Sequence, residues 1–200
     1  MTSSTLLSMT SVSGEDIRQY IDDIARLRIE VFREFPYLYD GDLAYEKQYL
    51  ESYVRSPRAV VVVAKADDQV VGVSTALPLA DETGAFKQPF LDRGWDVARI
   101  FYCAESVIRK AFRGGGSGGR FFAAREAHAK AVGDYDVCCF AAVDRPADHP
   151  LRPRDYRPLD GFWKRQGYAK HTELQMRLAW KDIDEAQQSE KSLTFWLKSL

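Results

Sequence analysis

The sequence predicts a single domain of the α/β or α+β class built on a mixed sheet. Strand-like and helix-like segments alternate along the 200 residues, and a glycine-rich loop joins an apolar strand to a helix. No segment has the length and composition of a linker between two domains, and the chain is long enough to bury a sizeable core. We therefore expect one domain over residues 1–200, in which 181–200 form a linker and the last strand.

The elements are predicted from the spacing of apolar residues and from turn signals. Ile17, Ile21 and Ile24 recur at helical spacing, with Ser13 as the expected cap of this helix. Helices are expected at 13–35, 43–54, from about 118 to 132, and at 159–167; strands are expected at 6–12, 60–64, 70–77, 97–108, 135–143, 172–180 and 193–200. The stretch with Gly84, Pro89 and Gly94 is predicted to be a loop.

Composition limits the partners and the compartment. The formal net charge is −1, so no overall basic field favours nucleic acid or an anionic membrane. Three cysteines, two of them adjacent, do not form a disulfide framework or a metal-ligand spacing. No apolar run is long enough to span a bilayer, and the first residues lack the basic region of a secretory signal. We expect a cytoplasmic protein without metal, nucleic-acid or membrane partners.

The stretch "AFRGGGSGGRFFAAREAHAKAVG" at 111–133 holds five glycines in six positions before a helix. Unpaired backbone N–H groups at a helix start favour bound phosphate, and glycine lets the backbone approach it closely. The Walker A pattern fails because Arg120, not lysine, follows the last glycine. A dinucleotide fingerprint is formally present, but its nearest strand-end acid, Asp144, lies about 25 positions on rather than about 20. That alternative stays open.

A third pattern, [Q/R]-x-x-G-x-[G/A], is matched by Arg113, Gly116 and Gly118. Together with "DYDVCCFAAV" and "GFWKRQGY" downstream, the chain resembles the GCN5-related N-acetyltransferases (GNAT) over most of 15–180. The resemblance implies a mostly antiparallel twisted sheet flanked by helices, and acetyl-CoA as co-substrate. It also implies that the pyrophosphate contacts backbone N–H groups of Arg113, Gly114, Gly115, Gly116, Ser117, Gly118 and Gly119.

The family reaction moves an acetyl group to a primary amine of a small molecule or peptide by direct attack in a ternary complex. Glu105 is the one carboxylate in the apolar "FYCAESVI" and is our candidate base, with a structural ion pair to an arginine as the alternative. Strand alternation predicts that Phe101, Cys103, Glu105 and Val107 share one face. Cys103 is a competing nucleophile, although no histidine lies near it in sequence.

The resemblance implies further roles and one departure. Backbone N–H groups near Val107 and Ile108 are expected to bind the acetyl carbonyl. The tyrosine that many members use as the acid falls at Trp163, so Tyr156, Tyr168 or solvent is expected to supply that proton. This gap keeps a second hypothesis open, a non-catalytic domain that binds or senses acyl-CoA.

The acceptor side is predicted around "FREFPYLYDGD", where Tyr37, Tyr39 and Asp40 offer aromatic faces and an acid to an amine. The alternative is a turn whose aromatic residues pack on the core. His149, in the proline-rich loop 144–158, is a further candidate for contact with the acceptor. The last strand, after a polar stretch, is expected to pair within the chain or to exchange in a homodimer.

Overall fold

The computed structural model describes residues 7–200 and contains one eight-stranded sheet covered by helices on both faces. The strands are β1 (Ser8–Val12), β2 (Val60–Ala66), β3 (Gln69–Pro78), β4 (Ile100–Tyr102), β5 (Ser106–Ile108), β6 (Val137–Val143), β7 (Ala169–Trp180) and β8 (Ser189–Ser199). The helices are α1 (Ile21–Phe32), α2 (Leu43–Arg55), α3 (Gly84–Leu91), α4 (Ser117–Val132) and α5 (Asp160–Arg165). The predicted strand at 6–12 is present within the described residues; position 6 lies outside them.

The strand order is β1-β2-β3-β4-β6-β8-β7, and β5 pairs with β3 beside β4. Only β4 and β6 run parallel among the paired strands of residues 7–200. The predicted mixed, mostly antiparallel sheet is therefore confirmed. The last strand, β8, lies inside this sheet between β6 and β7, so it pairs within the chain.

Two apolar layers hold the helices on the sheet. On one face, Leu27 of α1, Leu50 of α2 and Phe90 of α3 pack with residues of the strands. On the other face, Phe121 of α4 and Phe162 of α5 pack against the sheet. Burial of side chains of this size stabilises each face by about 1.5–3 kcal/mol per residue.

The first predicted helix begins differently from expected. Residues 14–20 form a 3-10 helix before α1, and the Ser13 side chain makes no capping hydrogen bond. Ser13 thus occupies the predicted N-cap position, but at the start of the 3-10 helix, and its side chain does not cap it. Asp42 does cap α2, because its Oδ1 accepts the N–H of Tyr45 at 2.9 Å.

The predicted loop around Gly84 and Pro89 is instead the helix α3. Pro89 removes one backbone donor, which costs helix stability. Tertiary packing compensates: Phe86 lies 5.1 Å from Tyr102, and Phe90 lies 4.8 Å from Phe195, between ring centroids. Burial of these aromatic rings outweighs the weak local propensity.

Candidate functional site

A fork in the middle of the sheet separates β5 from β6. β4 pairs with β6 over Ile100–Tyr102, and the Cys103 N–H donates to the Cys139 carbonyl at 2.7 Å. Beyond Cys103 the two strands diverge, because β5 pairs with β3 while β6 continues beside β8. Backbone groups on the inner edges of the fork are thereby left available to a ligand.

The break in the strand corrects the predicted alternation. Phe101 and Cys103 lie in the apolar layer beneath α4, whereas Val107 lies in the opposite layer beneath α1 and α2. Glu105 points to that same opposite side, where it meets Arg28 of α1. The prediction that Phe101, Cys103, Glu105 and Val107 share a face is wrong, because residues 103–105 are not strand and reset the register.

Register also decides which amides of β5 face the fork. Thr75 N–H donates to the Glu105 carbonyl at 3.0 Å, and Arg109 N–H donates to the Val71 carbonyl at 2.9 Å. In an antiparallel ladder alternate residues face the partner, so the Val107 amide also faces β3. The predicted role of the Val107 amide is therefore wrong. The Ile108 amide faces the fork and stays a prediction, joined by the Ser106 amide, which the sequence analysis missed.

The glycine-rich loop opens α4 beside this fork. The amide N–H groups of residues 114–119 make no hydrogen bond to any group in the part of the chain that the structure describes. Gly114 and Gly116 have φ of +88° and +80°, which glycine adopts without strain. The free amides and the helix dipole together form an anion-binding cradle at the start of α4.

Arg113 braces this cradle rather than completing it. Its guanidinium pairs with Glu34, at 2.7 and 3.1 Å, and its Nε donates to the Ile108 carbonyl at 2.9 Å. Its own amide donates to the Lys110 carbonyl at 3.3 Å and is not free. The Arg113 side chain therefore braces the loop against the end of α1 and the edge of β5.

Two glycines of the loop, Gly118 and Gly116, are required for different structural reasons. A Cβ on Gly118 would lie 3.0 Å from the Phe162 ring of α5, so this position allows close helix packing. A Cβ on Gly116 would meet nothing within 4 Å, so there the requirement is the positive φ and an open surface. Ser117 is buried at the first position of α4.

Glu105 lies in the break between β4 and β5, and both its carboxylate and its backbone carbonyl are held by other residues. Its carboxylate forms an ion pair with Arg28, which also binds Glu46. Its carbonyl accepts from the Ser74 hydroxyl at 2.9 Å and from Arg125 Nη1 at 3.2 Å. The structural ion pair considered as an alternative is therefore present, and the role of Glu105 as a base stays a prediction.

The predicted acceptor residues divide into two groups. Tyr156 lies edge-on to Phe35, with 4.6 Å between centroids, and His149 lies 5.7 Å from the same ring. Burial raises the pKa of Tyr37 to about 12, and the nearby Glu105 and Tyr156 add to this shift while Arg28 opposes it. Tyr37, Tyr156, His149 and Glu105 thus gather around the turn after α1.

Tyr39 and Asp40 form the second group and are already engaged. Burial and then Glu46 raise the pKa of Tyr39. Asp40 pairs with Lys181 at 2.8 Å and with Arg33 at 3.2 Å, and Lys181 is the main cause of its lowered pKa. Contact of either residue with an acceptor stays a prediction.

Known protein structures share this architecture. No family model and no curated protein sequence matches the chain. A ribosomal-protein-alanine N-acetyltransferase from Brucella melitensis superposes with a TM-score of 0.63 at 16% identity, covering 97% of this chain and 100% of that one. A GNAT-family acetyltransferase from Streptococcus pneumoniae gives 0.59 at 11% identity, with 98% and 100% covered. A Salmonella typhimurium protein assigned to the acetyltransferases, its structure containing its cofactor acetyl-CoA, gives 0.58 at 12% identity, with 96% and 94% covered.

This chain has the GNAT fold. The resemblance predicted from the sequence is thereby confirmed at the level of the fold. The fork between β5 and β6 and the glycine-rich cradle at 114–119 are parts of this fold.

Tyr156 and Tyr168, the two candidates for the general acid, lie in different environments. Tyr168 is buried, its hydroxyl donates to Glu126 at 3.0 Å, and burial raises its pKa. Tyr156 is half-buried, and Arg152 lies 4.9 Å from its ring centroid. Trp163 packs on Phe140 and Trp196 at about 5 Å, in the layer beneath α4. Both tyrosines stay predictions as acids, and only Tyr156 lies with the acceptor group.

Arg145 fastens the loop 144–158 to the turn after α1. Its Nε donates to the Pro36 carbonyl and its Nη2 to the Tyr37 carbonyl, both at 2.7 Å. Its Nη1 pairs with Asp182 at 2.7 Å, and both side chains are under a tenth exposed. A planar fork with several donors fits this set of acceptors, which an ammonium cannot reproduce.

Arg145→Lys is expected to lower the free energy of unfolding by about 1.5 kcal/mol, because lysine retains the ion pair but loses hydrogen bonds of a charged donor. Urea unfolding measures this change. Arg177→Lys is the matched control, since the Arg177 side chain is 73% exposed and its one ion pair within residues 7–200 is with exposed Glu190. Equal effects of the two substitutions would contradict the role of Arg145 as a fastening residue.

The structure also reveals buried polar residues that the sequence analysis missed. Arg28, Glu46 and Glu82 are at most 9% exposed, and all lie on the side of the sheet covered by α1 and α2. Arg125 is 2% exposed on the other side. The one sequence signal of this burial is that Arg28 falls on the apolar face of the predicted helix. No sequence signal marks the burial of Glu82, since an acid in a polar loop is ordinarily exposed.

Proposed function

We propose that the protein is an acetyl-CoA-dependent N-acetyltransferase. The observation that carries this proposal is the row of free amides at 114–119, which open α4 beside the fork between β5 and β6. Open space at Gly114 and Gly116 suits a pyrophosphate there, because no Cβ would hold the phosphates away. The neighbours named above, one of them bound to acetyl-CoA, support the same cofactor.

The proposed reaction is direct attack in a ternary complex. The amine nitrogen attacks the thioester carbonyl, so that a C–N bond forms, the C–S bond breaks and CoA leaves as a thiolate. The amides of Ser106 and Ile108, which face the fork, are the candidates to stabilise the oxyanion. Glu105 is the candidate to accept a proton from the amine, and Tyr156 or solvent is the candidate to protonate the thiolate.

The proposed acceptor is a primary amine of a small molecule or peptide. The aromatic group of Phe35, Tyr37 and Tyr156 provides faces to which an ammonium is attracted. The Brucella melitensis neighbour is named for an alanine of a ribosomal protein, which is an amine of the peptide kind. Acceptor binding between the turn after α1 and the loop 144–158 follows from this placement.

Two observations support the alternative, a non-catalytic acyl-CoA-binding domain. The Tyr168 hydroxyl is committed to Glu126, and Trp163 stands where many family members have a tyrosine. A nucleotide-binding role is less well supported, because the Asp144 carboxylate already accepts from Thr194 at 2.6 Å and from Lys170 at 3.2 Å.

Calorimetric titration with acetyl-CoA, with NAD as the control ligand, tests the cradle first. A panel of primary amines is then screened for release of the CoA thiol. Binding of acetyl-CoA followed by CoA release supports the enzyme, and binding without release from any amine supports the binding domain. Failure of the well-folded protein to bind acetyl-CoA would overturn both.

Glu105→Gln is expected to lower kcat about tenfold with little change in acetyl-CoA affinity. This is below the usual range for a general base, because Arg28 already holds the carboxylate. Steady-state kinetics with the best amine of the panel measure the effect. Glu190→Gln, at an exposed carboxylate of β8, is the control; an unchanged kcat in Glu105→Gln would remove Glu105 from the mechanism.

A further inference from the structure

A cluster of side chains surrounds the ring of Phe35 on the acceptor side. The Tyr156 ring lies edge-on to it, with 4.6 Å between centroids, and the His149 ring lies at 5.7 Å. The guanidinium carbon of Arg152 lies 4.9 Å from the Tyr156 centroid and 5.9 Å from the Phe35 centroid. A cation is thus held on an aromatic surface beside the turn after α1.

The Arg152 guanidinium has donors that the protein does not use. Over residues 7–200, Arg152 is the one arginine that is partly buried and forms neither an ion pair nor a side-chain hydrogen bond. The other partly or fully buried arginines each bind a carboxylate or a carbonyl: Arg28, Arg109, Arg125 and Arg145. Asp148 and Asp155 of the same loop are exposed and form no ion pair within this range. A guanidinium that lies on aromatic rings keeps the N–H groups of its edge free, and these fit both oxygens of a carboxylate.

His149 adds a second unused donor. Its Nδ1 accepts the N–H of Leu151 at 3.2 Å, so in the neutral ring the proton is on Nε2. The Nε2 atom makes no hydrogen bond within residues 7–200. The backbone N–H of Arg152 donates to the His149 carbonyl at 2.9 Å, which keeps both residues in one turn. This turn of the loop 144–158 therefore offers two donors, one of them charged.

The turn is fixed relative to the acceptor side. Arg145 of the same loop donates to the carbonyls of Pro36 and Tyr37, both at 2.7 Å. Pro153 directly follows Arg152, and its ring restricts the backbone there. Donors that are already ordered lose little conformational entropy when a ligand binds.

The cluster around Phe35 also joins the two arms of the fork. Phe35 follows Glu34, whose carboxylate binds Arg113, and Arg113 Nε donates to the carbonyl of Ile108 at 2.9 Å. Ile108 ends β5, and the loop 144–158 begins directly after β6. The unused donors thus lie where the amine has to meet the thioester in the proposed reaction.

We propose that the acceptor is a small amine that also carries a carboxylate, and that Arg152 binds this carboxylate through both oxygens. The inference rests on the proposed acetyl transfer and names its substrate class. The Nε2–H of His149 donates a further hydrogen bond to the same group, and the rings of Phe35 and Tyr156 hold the guanidinium in place. Amino acids have this chemistry, with the amine and the carboxylate a few bonds apart. The amino terminus of a long peptide does not.

Acceptors that differ only in the carboxylate test the inference on the full-length protein. The L-amino acids, β-alanine and γ-aminobutyrate are each compared with the corresponding primary amide in the CoA-release assay. The measured quantity is the ratio of kcat/KM for the acid to kcat/KM for its amide, in the wild type, Arg152→Ala and Arg152→Lys. A substitution that only disturbed Tyr156 or the loop would slow both acceptors alike and leave this ratio unchanged. Arg154→Ala is the control, because Arg154 is an exposed arginine of the same loop.

We expect the best acid to exceed its amide about 30-fold in the wild type and in Arg154→Ala, as for a hydrogen-bonded charged group. This preference should disappear in Arg152→Ala and be retained in part in Arg152→Lys, which keeps the charge but not the planar fork. Amides used as well as acids, or a preference that survives Arg152→Ala, would overturn the inference and leave acetyl transfer standing.

Calorimetry separates the two other possible results. An acetyl-CoA affinity that falls in Arg152→Ala would assign the guanidinium to a phosphate of CoA and would overturn the inference. If no amine releases CoA, acetyl transfer is refuted, and titration with the N-acetyl forms of the same acids and amides decides the site alone. Binding of an N-acetyl acid that is lost in Arg152→Ala would establish the carboxylate site, and failure of every such acid to bind would refute it.

Discussion

Gly116→Val is expected to weaken acetyl-CoA binding about 100-fold, or by roughly 2.7 kcal/mol. Gly116 has φ of +80° directly before α4. A β-branched residue is strained at this angle, by about 1–3 kcal/mol, and relaxes toward negative φ. That relaxation would turn the amides of residues 115–118 away from a common point, and a γ-methyl would project over the cradle. Isothermal titration calorimetry measures the change in Kd.

Gly94→Val is the matched control for this prediction. Gly94 has φ of +72° in the turn after α3, and a Cβ there, as at Gly116, would meet nothing within 4 Å. Both substitutions therefore carry similar backbone strain, and both are expected to lower the free energy of unfolding by a similar amount. Only Gly116→Val should lose acetyl-CoA. Equal affinity in the two variants would show that the free amides at 114–119 are not the phosphate site.

The sequence was sufficient for the features that depend on local chemistry. The glycine cluster before a helix, the apolar strand 137–143 and the hairpin of β2 and β3 all have short-range signals, and each is present. The same kind of local signal gave a wrong prediction where tertiary packing determines the structure. Gly84 and Pro89 favour a loop, yet burial of Phe86 and Phe90 holds α3 together.

The position of Glu105 shows a second limit of sequence patterns. Alternation is reliable only while a strand is continuous, and residues 103–105 interrupt it at the fork. The interruption turns Glu105 from the layer of Cys103 to the layer of Arg28. No local pattern marks that break, because it arises where β5 stays with β3 and β6 stays with β8. Burial of Glu82 is non-local in the same way.

The charge state of Glu82 also has a large expected effect on stability. In the unfolded chain this carboxyl has its ordinary pKa of 4.5, and in the folded protein burial raises the pKa to about 7. The folded state thus binds the proton more tightly. The stabilisation from this proton is complete below pH 4.5 and is lost as the pH rises through 7. The 2.5-unit difference corresponds to roughly 3 kcal/mol.

Glu82→Gln removes this loss, because an amide of the same shape does not ionise. We expect the variant to gain about 3 kcal/mol over the wild type, measured by urea unfolding, as the pH increases from below 4.5 to well above 7. Asp81→Asn, at the neighbouring exposed carboxylate, is the control for replacing an acid by its amide. A constant difference between Glu82→Gln and wild type across this pH range would mean that Glu82 ionises as easily in the folded protein as in the unfolded chain.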